Sequence, residues 1–236
     1  NLDAPNQRLV KVDANQPTPE NWEDVLPEKD YVLRGVSFAG GKLFANYLKD
    51  ASTRIEQYDL QGMFERTVEL PTIGTAGGFD GEADQETLFY AFTSFTYPTT
   101  IFAYDVASGA STVFKQPELD INPEDFETKQ IFYESKDGTK IPMFIVHRKG
   151  IEMDEQNPTY LYAYGGFNIS LTPSFSVVRQ YWLDNGGVFA MPNLRGGGEY
   201  GEAWHEAGLQ MNRQNVFDDF IAAAEFLIEN KYISAE

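Results

Sequence analysis

Cysteine is absent from this 236-residue sequence, which excludes a disulfide framework, a thiolate nucleophile and a cysteine-ligated metal ion. Histidine occurs twice, at His147 and His205, and neither has a second imidazole near it in the sequence with which to hold a metal. We therefore expect no metal site and no cofactor. The lack of cysteine suits the cytoplasm and the periplasm equally, and of these two compartments we favour the cytoplasm.

Basic side chains are outnumbered two to one, 18 against 36 acidic ones, which gives a formal net charge of −18. Such a charge repels phosphate backbones and anionic lipid headgroups. A long apolar run is also missing, because residues 221–228 are interrupted by Glu225 and fall far short of the roughly 20 residues that cross a bilayer. We expect neither nucleic acid nor a membrane as a partner. Since the chain begins with Asn1 rather than with methionine or a signal peptide, we expect the true N-terminus to lie outside it.

The first half does contain an internal repeat. Asp13, Asp59 and Asp105 each end a similar β-branched or aromatic segment, and they are spaced 46 residues apart. Residues 43–45 and 89–91 align at the same offset, so each repeat holds at least two strands. A period in the forties with several short strands per unit is typical of β-propeller blades. An antiparallel sandwich with coincidental spacing is the alternative that this pattern leaves open.

The pattern changes after an acidic, proline-containing stretch at residues 117–123. We predict a domain boundary just beyond it, around residues 124–129, with propeller blades in residues 1–126 and an α/β domain in residues 127–236. Strands and helices then alternate, which favours a mostly parallel sheet; strands are predicted at residues 130–133, 141–147, 159–164 and 188–192, and helices at residues 175–185 and 215–230. In the last helix we expect the apolar side chains to face the sheet, namely those of Phe217, Phe220, Ile221, Ala224, Leu227 and Ile228.

The turn after the predicted strand at residues 159–164 is the first candidate site. It brings a phenol, Tyr164, and two residues without Cβ atoms, Gly165 and Gly166, to the carboxyl edge of a sheet, where ligands bind. In α/β-hydrolases the loop at this place supplies backbone N–H groups to an oxyanion hole, and a neutral tyrosine can donate to the same oxygen. A tight turn with a packed tyrosine explains these residues equally well.

A nucleophile is what the candidate site lacks. No serine lies in a Gly-x-Ser-x-Gly setting; Ser37 comes nearest, but Ala39 stands where the second glycine should be. We expect Ser37 and both histidines to be structural. We expect Asp218 and Asp219 to be solvated acids on the polar face of the last helix.

A glycine cluster near residue 200 offers a second, weaker candidate. Gly196, Gly198 and Gly201 have the spacing of a dinucleotide-binding fingerprint. Glu199, however, would place a carboxylate beside the pyrophosphate, and the helix that should start at the last glycine is short. The match therefore does not support a nucleotide site.

Four motifs of the second half resemble the prolyl oligopeptidase family of serine peptidases. They are YGGFNIS at residues 164–170, PNLRGGGEYG at residues 192–201, WH at residues 204–205 and SKDGTKIPMF at residues 135–144. The fold that this resemblance implies is a seven-bladed β-propeller followed by an α/β-hydrolase domain. The chain would then hold the final blades in residues 1–126 and the start of the hydrolase domain in residues 127–236.

The resemblance also implies an activity, which is hydrolysis of short peptides on the carboxyl side of proline without cofactor or metal. By resemblance, Tyr164 donates its hydroxyl to the oxyanion and Phe167 lines the proline pocket; structural support near the site comes from Gly165, Gly166, Asn193 and Arg195. The serine, aspartate and histidine of the family's triad lie further along than this sequence extends, so we expect the segment alone to be inactive. Its expected partners are proline-containing oligopeptides and the remainder of the same polypeptide. An acylaminoacyl or dipeptidyl peptidase of the same family, and a non-catalytic binding module, are the alternatives.

Overall fold

A computed structural model describes residues 2–234 of the chain. Its strands are β1 (Leu9–Lys11), β2 (Glu23–Leu26), β3 (Val32–Ala39), β4 (Lys42–Lys49), β5 (Ser52–Tyr58), β6 (Phe64–Thr67), β7 (Thr75–Gly78), β8 (Thr87–Thr93), β9 (Thr100–Asp105), β10 (Ser111–Lys115), β11 (Phe126–Glu134), β12 (Lys140–Arg148), β13 (Thr159–Leu161) and β14 (Val188–Pro192). Its α-helices are α1 (Val177–Asp184), α2 (Glu202–Glu206) and α3 (Gln214–Glu229). Within residues 2–234, none of these helices is both long and apolar enough to cross a membrane.

Two four-stranded antiparallel sheets make up most of the first part, one of strands β3 to β6 and one of strands β7 to β10, and β1 pairs with β2. The 46-residue repeat coincides with these sheets, because its three copies fall on β1, β5 and β9. Since β5 and β9 are each the third strand of their sheet, one repeat is one sheet. This is the arrangement of successive blades in a β-propeller.

Aromatic side chains fill the space between the two blades. Every second residue of β8 and β9 is buried, as expected for strands with one face in a core. The rings of Phe44, Phe79, Tyr90 and Phe102 follow one another in a stack, with centroid separations of 5.2, 4.7 and 5.2 Å. Stacked aromatic pairs add to the stabilisation that comes from burial alone, so the stack holds the blades together.

A buried carboxylate joins the segment before β3 to the first complete blade. Glu56, in β5, binds Lys29 Nζ at 2.5 Å and Arg54 Nε at 2.6 Å, and the Tyr58 hydroxyl also donates to it. Lys29 Nζ lies 4.9 Å from the centre of the Tyr47 ring, within the range of a cation–π contact. Burial alone would raise the pKa of Glu56, but these hydrogen bonds hold it down to about 2.

The second part is built on one sheet with the strand order β11-β12-β14-β13. β11 and β12 form a hairpin whose turn contains Gly138 at φ 81°, and β12 is antiparallel to β14 as well. β13 and β14 are parallel and are joined by a crossover through α1. The sheet within residues 2–234 is thus mostly antiparallel, in contrast to the mostly parallel sheet expected, because a hairpin forces its two strands to run in opposite directions.

Helix α3 buries a different face from the one expected. The buried residues are Val216, Asp219, Ala222, Ala223 and Leu227. Three of the six apolar side chains expected to face the sheet are exposed instead, namely those of Phe217, Phe220 and Ile221. Compared with the expected orientation, the helix is therefore rotated about its own axis by about one residue, or roughly 100°. The cause is that Asp219 pairs with the buried guanidinium of Arg195 in the interior.

The two parts of the chain contact each other through aromatic side chains. Phe95, which follows β8, packs against Phe144 and Phe189 of the second sheet, with ring centroids 5.4 and 5.7 Å apart. The guanidinium of Arg179 lies 5.0 Å from the Phe95 ring and 4.6 Å from the Phe189 ring. β10 and β11 belong to different sheets, and the boundary at residues 126 and 127 stays a prediction.

Candidate active site

The turn that follows β13 lies at the carboxyl edge of the second sheet. β13 ends at Leu161 rather than at Tyr164, although the Tyr162 N–H still donates to the Ala190 carbonyl at 2.9 Å. We call residues 164–171 the Tyr164 turn. Two aromatic side chains extend from it: Tyr164 is 44% exposed and Phe167 is 82% exposed, with ring centroids 6.4 Å apart. The structure thus places both predicted site residues side by side and accessible.

Gly165 lets the turn approach the core closely. Its φ is 60°, and a Cβ added to it would lie 2.7 Å from Val216 Cγ1 and 2.9 Å from Leu194 Cβ. Its carbonyl oxygen accepts a hydrogen bond from Arg213 Nη1 at 2.6 Å, a contact that sequence reasoning did not find. Gly166 is buried beside it, and a Cβ there would lie 3.4 Å from the same Arg213 atom. The backbone next to Tyr164 is therefore fixed by the core on one side and by a guanidinium on the other.

The two residues after the glycines adopt a backbone conformation that is uncommon for residues with a side chain. φ is 54° at Phe167 and 57° at Asn168, in the left-handed region. The Asn168 N–H donates to the Gly196 carbonyl at 3.2 Å, and His205 Nδ1 lies 2.7 Å from the same oxygen and 3.1 Å from the Asn168 nitrogen. His205 thus packs against the backbone of the turn, and these contacts hold Phe167 while its ring remains largely exposed.

Asn193 and Glu199 bind the far end of the turn at Leu171. Asn193 follows β14, is fully buried, and donates from Nδ2 to the Leu171 carbonyl at 2.8 Å and to Glu199 Oε1 at 3.1 Å. The Leu171 N–H donates to the same Glu199 oxygen at 2.9 Å. Burial raises the pKa of the Glu199 carboxyl. Sequence reasoning used Glu199 only as an argument against a nucleotide site and missed its contact with the turn; its place in the loop after the carboxyl end of β14 was the one signal that could have found it.

Arg195 lies in a buried charged network close to the turn. Its Nη2 donates to Asp219 Oδ1 and its Nη1 to Asp137 Oδ2, both at 2.6 Å. Asp219 also accepts from Ser135 Oγ at 2.6 Å and is fully buried. The hydrogen bond from Arg195 lowers the pKa of Asp137 to about 2. The expectation that Asp219 is solvated is therefore wrong, because Arg195 pairs with it in the interior, whereas Asp218 stays partly exposed.

The other residues singled out in the sequence lie elsewhere. Ser37 is in β3 of the first blade, where its hydroxyl donates to the Phe79 carbonyl at 3.2 Å. His147 is buried in β12, and its Nδ1 lies 2.9 Å from the Arg148 carbonyl oxygen. In the part of the chain that the structure describes, no group of three or more His, Asp or Glu side chains is placed to hold a metal ion.

Two family models match the chain. One is described as the N-terminal β-propeller domain of prolyl oligopeptidase and matches residues 1–117. The other is described as the prolyl oligopeptidase family and matches residues 173–236. The first match covers the blades, and the second covers the sequence from shortly before α1 onward.

Prolyl endopeptidases of other organisms are similar over almost the whole chain. A prolyl endopeptidase of Elizabethkingia miricola is 51% identical over 233 residues, which are 99% of this chain and 33% of that protein. A prolyl endopeptidase of Dictyostelium discoideum is 42% identical over 98% of this chain and 32% of its own length.

Solved structures of prolyl endopeptidases and oligopeptidases are similar to the chain as well. A prolyl endopeptidase structure, from work on inter-domain dynamics in catalysis and specificity, has a TM-score of 0.92 and 46% identity, covering 98% of this chain and 34% of its own. Prolyl oligopeptidase B from Galerina marginata, bound to a 35mer hydrolysis and macrocyclization substrate, has a TM-score of 0.90 and 36% identity, covering 99% of this chain and 33% of its own. The chain spans about a third of the length of the relatives that it matches.

Proposed function

Because the chain belongs to the prolyl oligopeptidase family of serine peptidases, we propose that the whole protein of which it is part is a serine endopeptidase. Its substrates are short peptides, which it hydrolyses on the carboxyl side of proline by acyl transfer, without a metal or a cofactor. The protein acts in the cytoplasm, and its other partner is the remainder of the same polypeptide. The propeller limits the size of the substrates by keeping folded proteins away from the site.

The exposed side chain of Tyr164 on a firmly held backbone is the observation that carries this proposal. When a serine attacks a peptide carbonyl, its oxygen gains negative charge, and donors that are already in position stabilise that charge without reorganising. A tyrosine hydroxyl remains a neutral donor at pH 7. The contacts of Gly165 with Arg213, Leu194 and Val216 limit the movement of the neighbouring Tyr164. A backbone N–H next to the nucleophilic serine supplies the second donor.

Phe167 provides the wall of the proline pocket. Its ring is 82% exposed and lies 6.4 Å from the Tyr164 ring, so one substrate residue can contact both side chains. A flat apolar ring offers a proline side chain a contact surface that excludes water. Asn193 and Arg195 support the site from the interior of the domain, through hydrogen bonds to Leu171 and Asp219, and do not contact substrate. The triad lies on the remainder of the polypeptide, and the segment alone is inactive.

The proposal is tested with Tyr164→Phe in the full-length protein, assayed on a glycyl-prolyl substrate. Removing one oxyanion donor lowers kcat by roughly 10²- to 10³-fold, and we expect a loss in that range with little change in KM. Tyr181→Phe, on the exposed face of α1, is the matched control and should retain full kcat. If Tyr164→Phe retained full kcat, Tyr164 would not be the oxyanion donor.

Two further assays separate the alternatives. Blocked and unblocked peptides distinguish an endopeptidase, which accepts blocked substrates, from a dipeptidyl peptidase, which needs a free amino terminus. An acylaminoacyl peptidase would release a single blocked residue. A serine-directed phosphonate that fails to label the full-length protein would favour the non-catalytic binding module.

A further inference from the structure

We propose that Glu199 is a positioning residue that sets the preference of the site for proline, because it fixes the end of the Tyr164 turn that carries Phe167. This role rests on the proposed function, in which Phe167 lines the proline pocket. Glu199 contacts the turn and not the substrate, and it acts together with Asn193.

Glu199 and Asn193 bind both polar backbone groups of a single residue. The Leu171 N–H donates to Glu199 Oε1 at 2.9 Å, and the Leu171 carbonyl accepts from Asn193 Nδ2 at 2.8 Å. Asn193 Nδ2 also donates to Glu199 Oε1 at 3.1 Å, so the two side chains hold each other in place. Asn193 follows β14 directly and Glu199 belongs to the loop after it, before α2, whereas Leu171 belongs to the turn. The end of the turn is thereby anchored to the sheet.

This arrangement costs the fold some stability. Glu199 is 2% exposed, and its hydrogen-bond partners, the Leu171 N–H and the Asn193 amide, are both neutral. Glu199 Oε2 and Asn193 Oδ1 are buried and have no hydrogen-bond partner among residues 2–234. Two apolar side chains would fill the same space without burying a carboxylate, but the Leu171 N–H and carbonyl would then lose these partners. The pair therefore serves the position of Leu171 rather than the stability of the core.

The two halves of the turn have separate supports. In the first half, Gly165 contacts the core directly and its carbonyl is held by Arg213 at 2.6 Å. The ring of Phe167 is largely exposed and its backbone is left-handed, so this residue is held through its neighbours in the chain rather than by a core contact of its own. The hydrogen bonds at Asn168 and Leu171 determine where its ring lies. Loss of the anchor at Leu171 thus displaces the wall of the proline pocket and leaves the oxyanion donor in place.

The test compares two substrates on the full-length protein, a prolyl peptide and the same peptide with alanine in place of proline. For Glu199→Ala we expect kcat/KM on the prolyl peptide to fall roughly 10- to 100-fold, as for a displacement of about 1 Å. The loss on the alanyl peptide is smaller, so the prolyl-to-alanyl ratio falls about tenfold. Glu199→Gln retains an oxygen for the Leu171 N–H and should keep the ratio of the wild type. Glu206→Ala, at an exposed acid of the same segment, is the matched control and should change neither rate.

An unchanged prolyl-to-alanyl ratio in Glu199→Ala would overturn this role even if the activity falls, because a general loss of stability lowers both rates together. If Glu199→Ala does not fold, Glu199→Met fills a similar volume without oxygen atoms and is judged by the same ratio. A wild-type protein that leaves the prolyl peptide intact refutes the proposed function itself. A wild type that cleaves it, with a variant that keeps the ratio, refutes the role of Glu199 alone.

Discussion

Replacing Gly165 by alanine adds one methyl group where the Tyr164 turn contacts the core. That methyl would lie 2.7 Å from Val216 Cγ1 and 2.9 Å from Leu194 Cβ, whereas apolar carbons pack at about 3.5–4.0 Å. Each contact is thus roughly 1 Å too short. Neither neighbour is the far end of a flexible side chain, so the turn itself has to move.

Two costs add in this variant. Overpacking a buried site costs about 1–3 kcal/mol, and the left-handed conformation, with φ at 60°, costs alanine about 1 kcal/mol relative to glycine. We therefore expect the free energy of unfolding to fall by about 2–4 kcal/mol. Because Tyr164 precedes the displaced residue, a shift of about 1 Å lowers kcat/KM by up to about 100-fold.

Gly138→Ala provides the matched control. Gly138 has φ 81°, but no atom lies within 4 Å of an added Cβ, so only the cost of about 1 kcal/mol for the backbone applies. Urea unfolding of the full-length protein, followed by tryptophan fluorescence, gives both free energies, and peptide hydrolysis gives kcat/KM. Equal losses of stability in the two variants, with kcat/KM unchanged in Gly165→Ala, would refute the reasoning.

Two further predictions concern buried acids. Asp219→Ala leaves the Arg195 guanidinium buried without its main partner, so we expect the free energy of unfolding to fall by about 3–5 kcal/mol. Asp218→Ala, at the partly exposed neighbour, should lower it by less than about 1 kcal/mol. Similar urea midpoints for the two variants would contradict this prediction. The pKa of Glu56 lies at about 2, below its ordinary 4.5, so its carboxylate contributes roughly 3 kcal/mol above pH 4.5 that is lost as the pH falls toward 2. Glu56→Gln should accordingly lose less stability than the wild type between about pH 5 and 3, and parallel curves would show that Glu56 does not contribute.

The blades could be predicted from the sequence because their information is local and repeated. Runs of aromatic and β-branched residues in β8 and β9 indicate strands in the chain itself, and the copies at β1, β5 and β9 reinforce one another. The bounds of α1 and α3 came within two residues for the same reason: Gly186 and Gly187 stop the first of these helices, and Ser176 caps it by accepting a hydrogen bond from the Arg179 N–H.

The buried face of α3 could not be predicted, because it depends on a residue far away in the chain. An acid next to Phe217 and Phe220 belongs on the solvent side by hydrophobic pattern alone. Arg195, which lies 24 residues earlier, reverses this assignment by pairing with Asp219 in the interior. A buried ion pair has no signature in the sequence of either partner.

The part of the candidate site that lies within the motif at residues 164–170 could be predicted from the sequence. The turn, its two glycines and its two exposed rings lie where the motif indicated, while the roles of Tyr164 and Phe167 stay predictions. Glu199 and Arg213 were not found, since each contacts only backbone atoms of the turn. A side chain that binds a distant peptide group leaves no pattern along the chain.

The left-handed backbone at Phe167 also limits how the protein can change. Side chains branched at Cβ are strongly disfavoured at positive φ, so valine, isoleucine and threonine are poor replacements whatever the substrate. Glycine would fit the backbone but would remove the ring. The variation open to selection at position 167 is therefore narrowed to side chains that are not branched at Cβ, and a preference for another substrate residue can evolve there only within that set.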